Sequence, residues 1–392
     1  MKSTGKSLEV MHDWESGDGE AAFQAMIDVF RRQHEDMSAD ERSTDRVRLS
    51  VKTELLKRDP PDIWFDWPGK NLQPYVDADV LRDVTDVWRD NDLETHYLDG
   101  PIDLSRFDDR YVAVPMNIHR INNLFYNIEY VERKGVDPSA IDSPREFVEA
   151  LQQIEDDNDV HGLIQPMKDP WPVVQLWATV LLGQFGLDTY RSVIGGDASA
   201  NSGAIGESLK IVERYTDFAS DDALFLGLTG AQERFTGGET AFFFQGDWSV
   251  GAFEAASGFD FRTDWEYVPF PGTDGKYSMN MDAALAAEMS DRRESIDAFL
   301  RTAGSVAGQT AFNKAKGSIP PRTDVPQAEF SSFQQTQMDS FERSRSQPPS
   351  IAHGLAVQPG QRIELLTTFA TFVTSRDIEK TRRRLIKIFD GR

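Results

Sequence analysis

The opening of the chain restricts its fold more than any other segment. Leu8-Glu9-Val10-Met11-His12 alternates apolar and polar positions as a half-buried strand does, and Asp13-Trp14-Glu15-Ser16-Gly17-Asp18-Gly19 breaks that pattern. Phe23, Met26, Ile27 and Phe30 then recur at helical spacing. A strand, a glycine-containing loop and an amphipathic helix need further strands and helices to cover their apolar faces, which predicts an α/β fold.

Val47-Arg48-Leu49-Ser50-Val51 reads as a second strand and Ile63-Trp64-Phe65 as a third, entered through the helix-stopping pair Pro60-Pro61. Strands alternating with helical stretches predict a mainly parallel sheet with helices on both faces. Tyr111-Val112-Ala113-Val114 reads as a strand ending at Pro115, and Asp169-Pro170 as the cap and first turn of an apolar helix through Leu182. Further helical patterns cover about 144–155, 204–219 and 290–302, and the segment 317–350, rich in Pro, Ser and Gln, is the most loop-like. Near the end, Leu385, Ile386 and Phe389 accompany Arg382, Arg383 and Arg384, a basic run expected to face solvent at a helix C-terminus.

With 392 residues the chain is long enough for two domains. Its 65 acidic and 42 basic residues leave a net charge of −23, which repels a phosphate backbone and excludes a nucleic-acid partner. The 8 Trp and 25 Phe are too many for a disordered acidic chain. Absence of Cys removes disulfides, thiolate nucleophiles and Cys-ligated zinc. The longest apolar stretch, Trp171 to Leu187, is interrupted by Gln175, Gly183, Gln184 and Gly186 and is too short for a membrane span. Among the charged residues, 41 Asp stand against 24 Glu and 29 Arg against 13 Lys. Self-repulsion at this charge is relieved when salt shortens the Debye length, so a high-salt environment is expected. The polar start Met1–Lys6 lacks the hydrophobic region of a signal peptide.

Enzymatic motifs are mostly missing: there is no GxxxxGK[ST], GxSxG, HExxH or post-strand GxGxxG, and the six His show no metal-ligand spacing. No cofactor and no metal is expected. What stands out is Trp beside carboxylates where strands end: His12-Asp13-Trp14, Asp66-Trp67-Pro68-Gly69 and Gly246-Asp247-Trp248, with Asn280-Met281-Asp282 as an aromatic-free fourth. A Trp face suits the C–H face of a pyranose, and carboxylates, Asn, His and Lys at its rim exchange hydrogen bonds with hydroxyls. In doubly wound sheets ligands sit beyond the carboxyl ends of strands, so these loops are expected to share a cleft. Each piece also has a packing reading: a lone Trp as core, Asp247 as a turn cap, Asp282 before a helix, His119 as a structural histidine. Trp88, Trp177 and Trp265 lack such neighbours and are assigned to the cores.

Taken in order, Leu8 to Trp14, Lys52-Thr53-Glu54-Leu55 followed by Pro60-Pro61-Asp62, Val114-Pro115-Met116-Asn117-Ile118-His119-Arg120 with Tyr126-Asn127, Gly237 to Ala241, Gln245-Gly246-Asp247-Trp248 and Phe270-Pro271-Gly272-Thr273-Asp274-Gly275 carry a family likeness. The chain resembles the extracellular solute-binding proteins of ABC sugar importers, in the branch that binds glucose and related monosaccharides. The resemblance implies a periplasmic-binding-protein-like α/β fold, two doubly wound lobes joined by a multi-crossing hinge with the ligand cleft between them. It places one lobe at 1–115 and 270–318 and the other at 116–269 and 319–392. It implies sugar contacts by Trp14, Asp247 and Trp248, by Asn280 and Asp282 after the GTDG turn, by His119, by Lys314 or Lys316, and by His353. Relatives often place a His where this chain has Trp67, which exchanges a donor for a stacking face and leaves the sugar's hydroxyl pattern open.

The expected role is therefore non-catalytic: a monomer that closes on a sugar and delivers it to the transmembrane subunits of an ABC permease. Relatives are exported and, in Gram-positive bacteria and archaea, tethered by a lipidated N-terminal Cys. A cell-surface location is expected, with signal and anchor outside this sequence. The alternative is a glycoside hydrolase using Asp247 and Asp282 as paired carboxylates; a binder of charged solutes such as polyamines fits less well with His and Lys in the site.

Overall fold

The computed structural model describes residues 7–15, 17–155, 160–220 and 222–391. The polar start Met1–Lys6 lies outside them. In chain order the strands are β1 (Ser7–His12), β2 (Ser38–Ser43), β3 (Ile63–Asp66), the short pair β4 (Arg106–Phe107) and β5 (Arg110–Tyr111), β6 (Val114–Arg120), β7 (Asn123–Asn127), β8 (His161–Ile164), β9 (Thr240–Gln245), β10 (Trp265–Pro269) and β11 (Met279–Ala286).

The chain divides into two compact units, one formed by residues up to His119 with Asn280–Arg343, the other by Arg120–Met279 with Ser344–Arg392. The chain therefore passes from unit to unit at 119/120, 279/280 and 343/344, where the sequence suggested 115, 269 and 318. The last crossing is late because 332–342 is a helix, not a loop, opened by a Ser331–Gln334 capping box. Gln334 Nε2 donates to the carbonyls of Asn313 at 2.9 Å and Ser318 at 2.8 Å, which ties this helix to the first unit.

The first unit is built on a sheet of order β2-β1-β3-β11-β6, with β1 parallel to β2 and β3 and β11 antiparallel to β3. Alternate residues of the central strands feed two cores. Leu8, Val10, Ile63, Phe65, Ala284 and Ala286 meet Phe23, Met26, Phe30 and Phe299 on one face. Met11, Trp64, Ala283 and Leu285 meet Val47, Val51, Leu72 and Tyr75 on the other. Helices thus cover both faces, and each large side chain so buried contributes about 1.5–3 kcal/mol. The helical stripe expected at Phe23, Met26, Ile27 and Phe30 is fully buried.

Val47–Val51, expected as a strand, belongs to the helix Val47–Leu56. Val47 and Val51 are buried one turn apart while Leu49 stays exposed, so the apolar alternation was coincidental. The strand beside β1 is instead Ser38–Ser43, polar but for Ala39, which suits an edge position. Nor does a strand end at Pro115: β6 starts at Val114 and runs through it. At the edge of the sheet a proline costs no ladder bond it would otherwise make.

The second unit has a sheet of order β10-β7-β9-β8. Only β8–β9 is parallel; β7 runs antiparallel to both β9 and β10, so the mainly parallel expectation fails here. Leu124, Leu163, Phe242 and Phe244 pack one face against helices Pro144–Glu155, Trp171–Ile194, Ser202–Thr216, Pro359–Ser375 and Ile378–Asp390. The opposite face carries an aromatic cluster, with Phe125 5.2 Å from Phe253 and Phe253 5.1 Å from Trp265. The Trp171–Ile194 helix starts after Pro170 without a side-chain cap from Asp169. It continues past Leu182 and breaks at Gly186, whose φ of 83° is a conformation that glycine adopts freely. Arg382–Arg384 lie in the middle of the last helix, where Arg382 bonds Ser202 and Glu379, and not at its C-terminus. No helix among the described residues is long and apolar enough to cross a membrane.

Candidate functional site

Parallel β1 and β3 end at the same edge of the first sheet, and antiparallel β11 begins there, with Ala283 opposite Asp66. That edge gathers Asp13-Trp14 after β1, Asp66-Trp67 at the end of β3, and Asn280 and Asp282 on β11. Trp14 is half-buried, leaning on Phe65 at 4.9 Å and Phe312 at 5.1 Å. Its backbone N–H donates to Nδ1 of buried His12 at 3.2 Å, and burial holds His12 below its ordinary pKa despite the pull of Glu41. Gly19 makes room for the indole: a Cβ there would lie 2.7 Å from Trp14 Cδ1.

Buried Asp66 is the anchor of this edge. Its Oδ1 accepts from Arg48 Nε at 2.6 Å, from the Trp67 N–H at 2.8 Å and from Asn71 at 3.1 Å, while Oδ2 is buried without a hydrogen-bond partner. Arg48 also stands over the Trp67 ring, 3.7 Å from its centroid. Asn280 is buried with its Oδ1 unpartnered. Asp282 is half-buried and fixed by Asn117 of β6. Burial, then the negative charge of Asp282, pushes the Asp13 carboxyl up to about 6 against the opposing pull of Arg48. Its side chain remains 35% exposed, so the carboxyl is partly stripped of water yet reachable. Burial works against the charge on Arg48, but Asp66, Asp13 and Asp282 together outweigh it and raise its pKa.

The two lysines separate. Lys316 follows Phe312 by one helical turn, is 12% exposed at its side chain and bonds Asp18 at 2.8 Å. Lys314 points elsewhere, 3.4 Å from Glu329, in a groove of about 740 Å³ lined also by Val29, Thr310 and Ala311 and by no other candidate residue. His119 is buried on β6.

In the second unit Gly246-Asp247-Trp248 follows β9 directly. Asp247 is buried, and its Oδ2 accepts from the Arg120 N–H at 2.9 Å. The Trp248 indole lies across Gly246, where a Cβ would come within 2.4 Å of Cη2. Its ring centroid is 5.3 Å from His353 and 5.9 Å from Trp171, and Trp171 is 5.5 Å from His353. His353 is itself fixed through Nδ1 by Ser350 Oγ at 2.8 Å. Among the described residues no group of three or more His, Asp or Glu is arranged to hold a metal ion.

The eight tryptophans sort by exposure. Trp64, Trp88, Trp177 and Trp265 are fully buried, while Trp14, Trp67, Trp171 and Trp248 are half-buried, two in each unit. The three assigned to cores from their neighbours are there. Trp171 and Arg48 are the residues that sequence reasoning passed over. Trp171 lay inside the apolar stretch, though the Pro170 before it marked a helix start. Arg48 sat in a segment misread as a strand.

Residues 23–338 match the profile of the bacterial extracellular solute-binding proteins, and the chain belongs to that family. The xylose/arabinose-binding protein XacG of Haloferax volcanii is 34% identical over 98% of this chain and 85% of its own length. Among solved structures, a chitin oligosaccharide binding protein superposes with a TM-score of 0.84 at 18% identity, covering 99% of both chains. The bacterial solute receptor AcbH, described as having an exclusive preference for β-D-galactopyranose, gives 0.83 at 16% identity, covering 99% of this chain and 98% of its own. These two define the fold.

Proposed function

We propose that the protein is the sugar-capturing component of an ABC importer, taking up a neutral monosaccharide and presenting it to a membrane permease. The observation that carries this reading is the sorting of the tryptophans: each unit keeps two indoles partly open, bordered by carboxylates, amides or His. Asp66 Oδ2 and Asn280 Oδ1 are buried acceptors without a donor in the protein, which suits a ligand rich in hydroxyl donors. Family membership and the xylose/arabinose-binding relative support the same class. Trp14, Trp67, Asn280, Asp282 and Lys316 are the proposed contacts of the first unit, and Trp171, Trp248 and His353 those of the second. Asp247 and His119, both buried, are proposed to hold the neighbouring backbone in place.

Thermal-shift screening in molar salt against glucose, galactose, xylose and arabinose tests the reading. A ligand that binds only the native state adds about 2.7 kcal/mol of stability at a hundred times its Kd. A sugar that raises the melting temperature without turnover of nitrophenyl glycosides supports a binder. Product release identifies a hydrolase, and a panel with no shift at millimolar sugar rejects the proposal.

A further inference from the structure

We infer that Arg48 is a positioning residue: by gripping Asp66 and covering one face of Trp67 it sets the geometry of the sugar-binding edge in the first unit, without touching the sugar. This inference rests on the sugar-binding reading. The helix Val47–Leu56, which buries Val47 and Val51 against the sheet, carries Arg48 in its first turn. Its Nε is 2.6 Å from Asp66 Oδ1, its Nη1 3.8 Å from Asp13 Oδ2 and its guanidinium carbon 3.7 Å from the Trp67 centroid. A planar guanidinium can stack on an indole and donate along its edge at once, which the point charge of Lys cannot.

The same cation balances the carboxylates around it. Asp13 is faced by Arg48 from the Val47–Leu56 helix, by Asp66 from β3 and by Asp282 from β11. Arg48 is the cation among them. Without it, like charges at close range force a proton onto one carboxyl. An ionised carboxylate accepts hydrogen bonds only, and a protonated one donates, so the edge would lose an acceptor for sugar hydroxyls. Lys cannot reproduce the stack but keeps the charge, so the two functions of Arg48 are separable.

The experiment compares wild type with Arg48→Gln and Arg48→Lys. Sugar affinity is measured by calorimetry from about pH 5 to about pH 8, and Asp13 is titrated by carboxyl-carbon NMR in the sugar-free protein. Arg48→Gln is expected to weaken binding about tenfold near neutrality and to move the acid-side loss of affinity to higher pH. Arg48→Lys is expected to restore that midpoint while leaving the affinity reduced. An unchanged midpoint in Arg48→Gln overturns the inference, because the charge of Arg48 then does not govern the protonation of Asp13. If wild type binds no sugar, the sugar-binding reading fails, and the sugar-free titration still judges Arg48: a raised Asp13 midpoint in Arg48→Gln supports its role and an unmoved one rejects it.

Discussion

Asn117 and Asp282 hold each other twice across neighbouring strands: Asn117 Nδ2 donates to Asp282 Oδ2 at 2.9 Å, and the Asp282 N–H donates to Asn117 Oδ1 at 2.8 Å. Asn117 is fully buried, so this amide does for the carboxylate what a mobile surface partner cannot. It fixes one oxygen, Oδ2, and the proposed sugar contact falls to the other. Asp282→Asn is expected to weaken sugar binding while melting within a few degrees of wild type. A collapse of its melting temperature would make the residue structural. Asn117→Leu should lower stability by about 1–3 kcal/mol in denaturant unfolding, since it strands a partly buried carboxylate.

Trp248 and Trp171 meet edge to face over His353. Trp248→Ala and Trp171→Ala are each expected to weaken binding about tenfold or more, measured by calorimetry. Equal affinity in both variants would remove the second unit's aromatic group from the site.

Gly246 has an ordinary extended backbone, with φ −71° and ψ 158°, so its role is space and not backbone strain. Gly246→Ala must displace the Trp248 ring, because the new Cβ would fall 2.4 Å from it. We expect binding to fall nearly as far as in Trp248→Ala, with a change in near-ultraviolet circular dichroism reporting the moved indole.

Asp13 binds its proton more tightly in the folded chain than in the unfolded one, its pKa rising from 3.8 to about 6. Between these values the native state holds more protons, so this group's contribution to stability falls as pH rises and is largest below the lower value. Asp13→Asn should therefore gain stability relative to wild type as pH rises from about 4 to about 6. Denaturant midpoints collected at several pH values for both proteins check this; parallel curves would refute it.

The net charge of −23 predicts that the midpoint of unfolding rises steeply between low and molar potassium chloride. Equal stability in both would reject adaptation to high salt.

The opening strand and helix, the strand after Pro60-Pro61 and the helix at 144–155 were legible because their apolar residues follow one period over the whole element. Val47–Val51 failed on that ground: over five residues, valines at both ends fit either period, and only the burial of Val47 and Val51 beneath the sheet chose the helix. The Ser332–Glu342 helix was hidden by polar residues whose side chains, such as Gln334, are satisfied by distant carbonyls.

By itself the sequence determined the α/β class and the tryptophan–carboxylate pairs at strand ends, because composition and local period act over a few residues. Tertiary structure alone decided that the second sheet is mostly antiparallel, that Trp171 joins Trp248 and His353, and that Arg48 serves both Asp66 and Trp67. Each of these depends on segments far apart in the chain coming together, and no local pattern encodes that meeting.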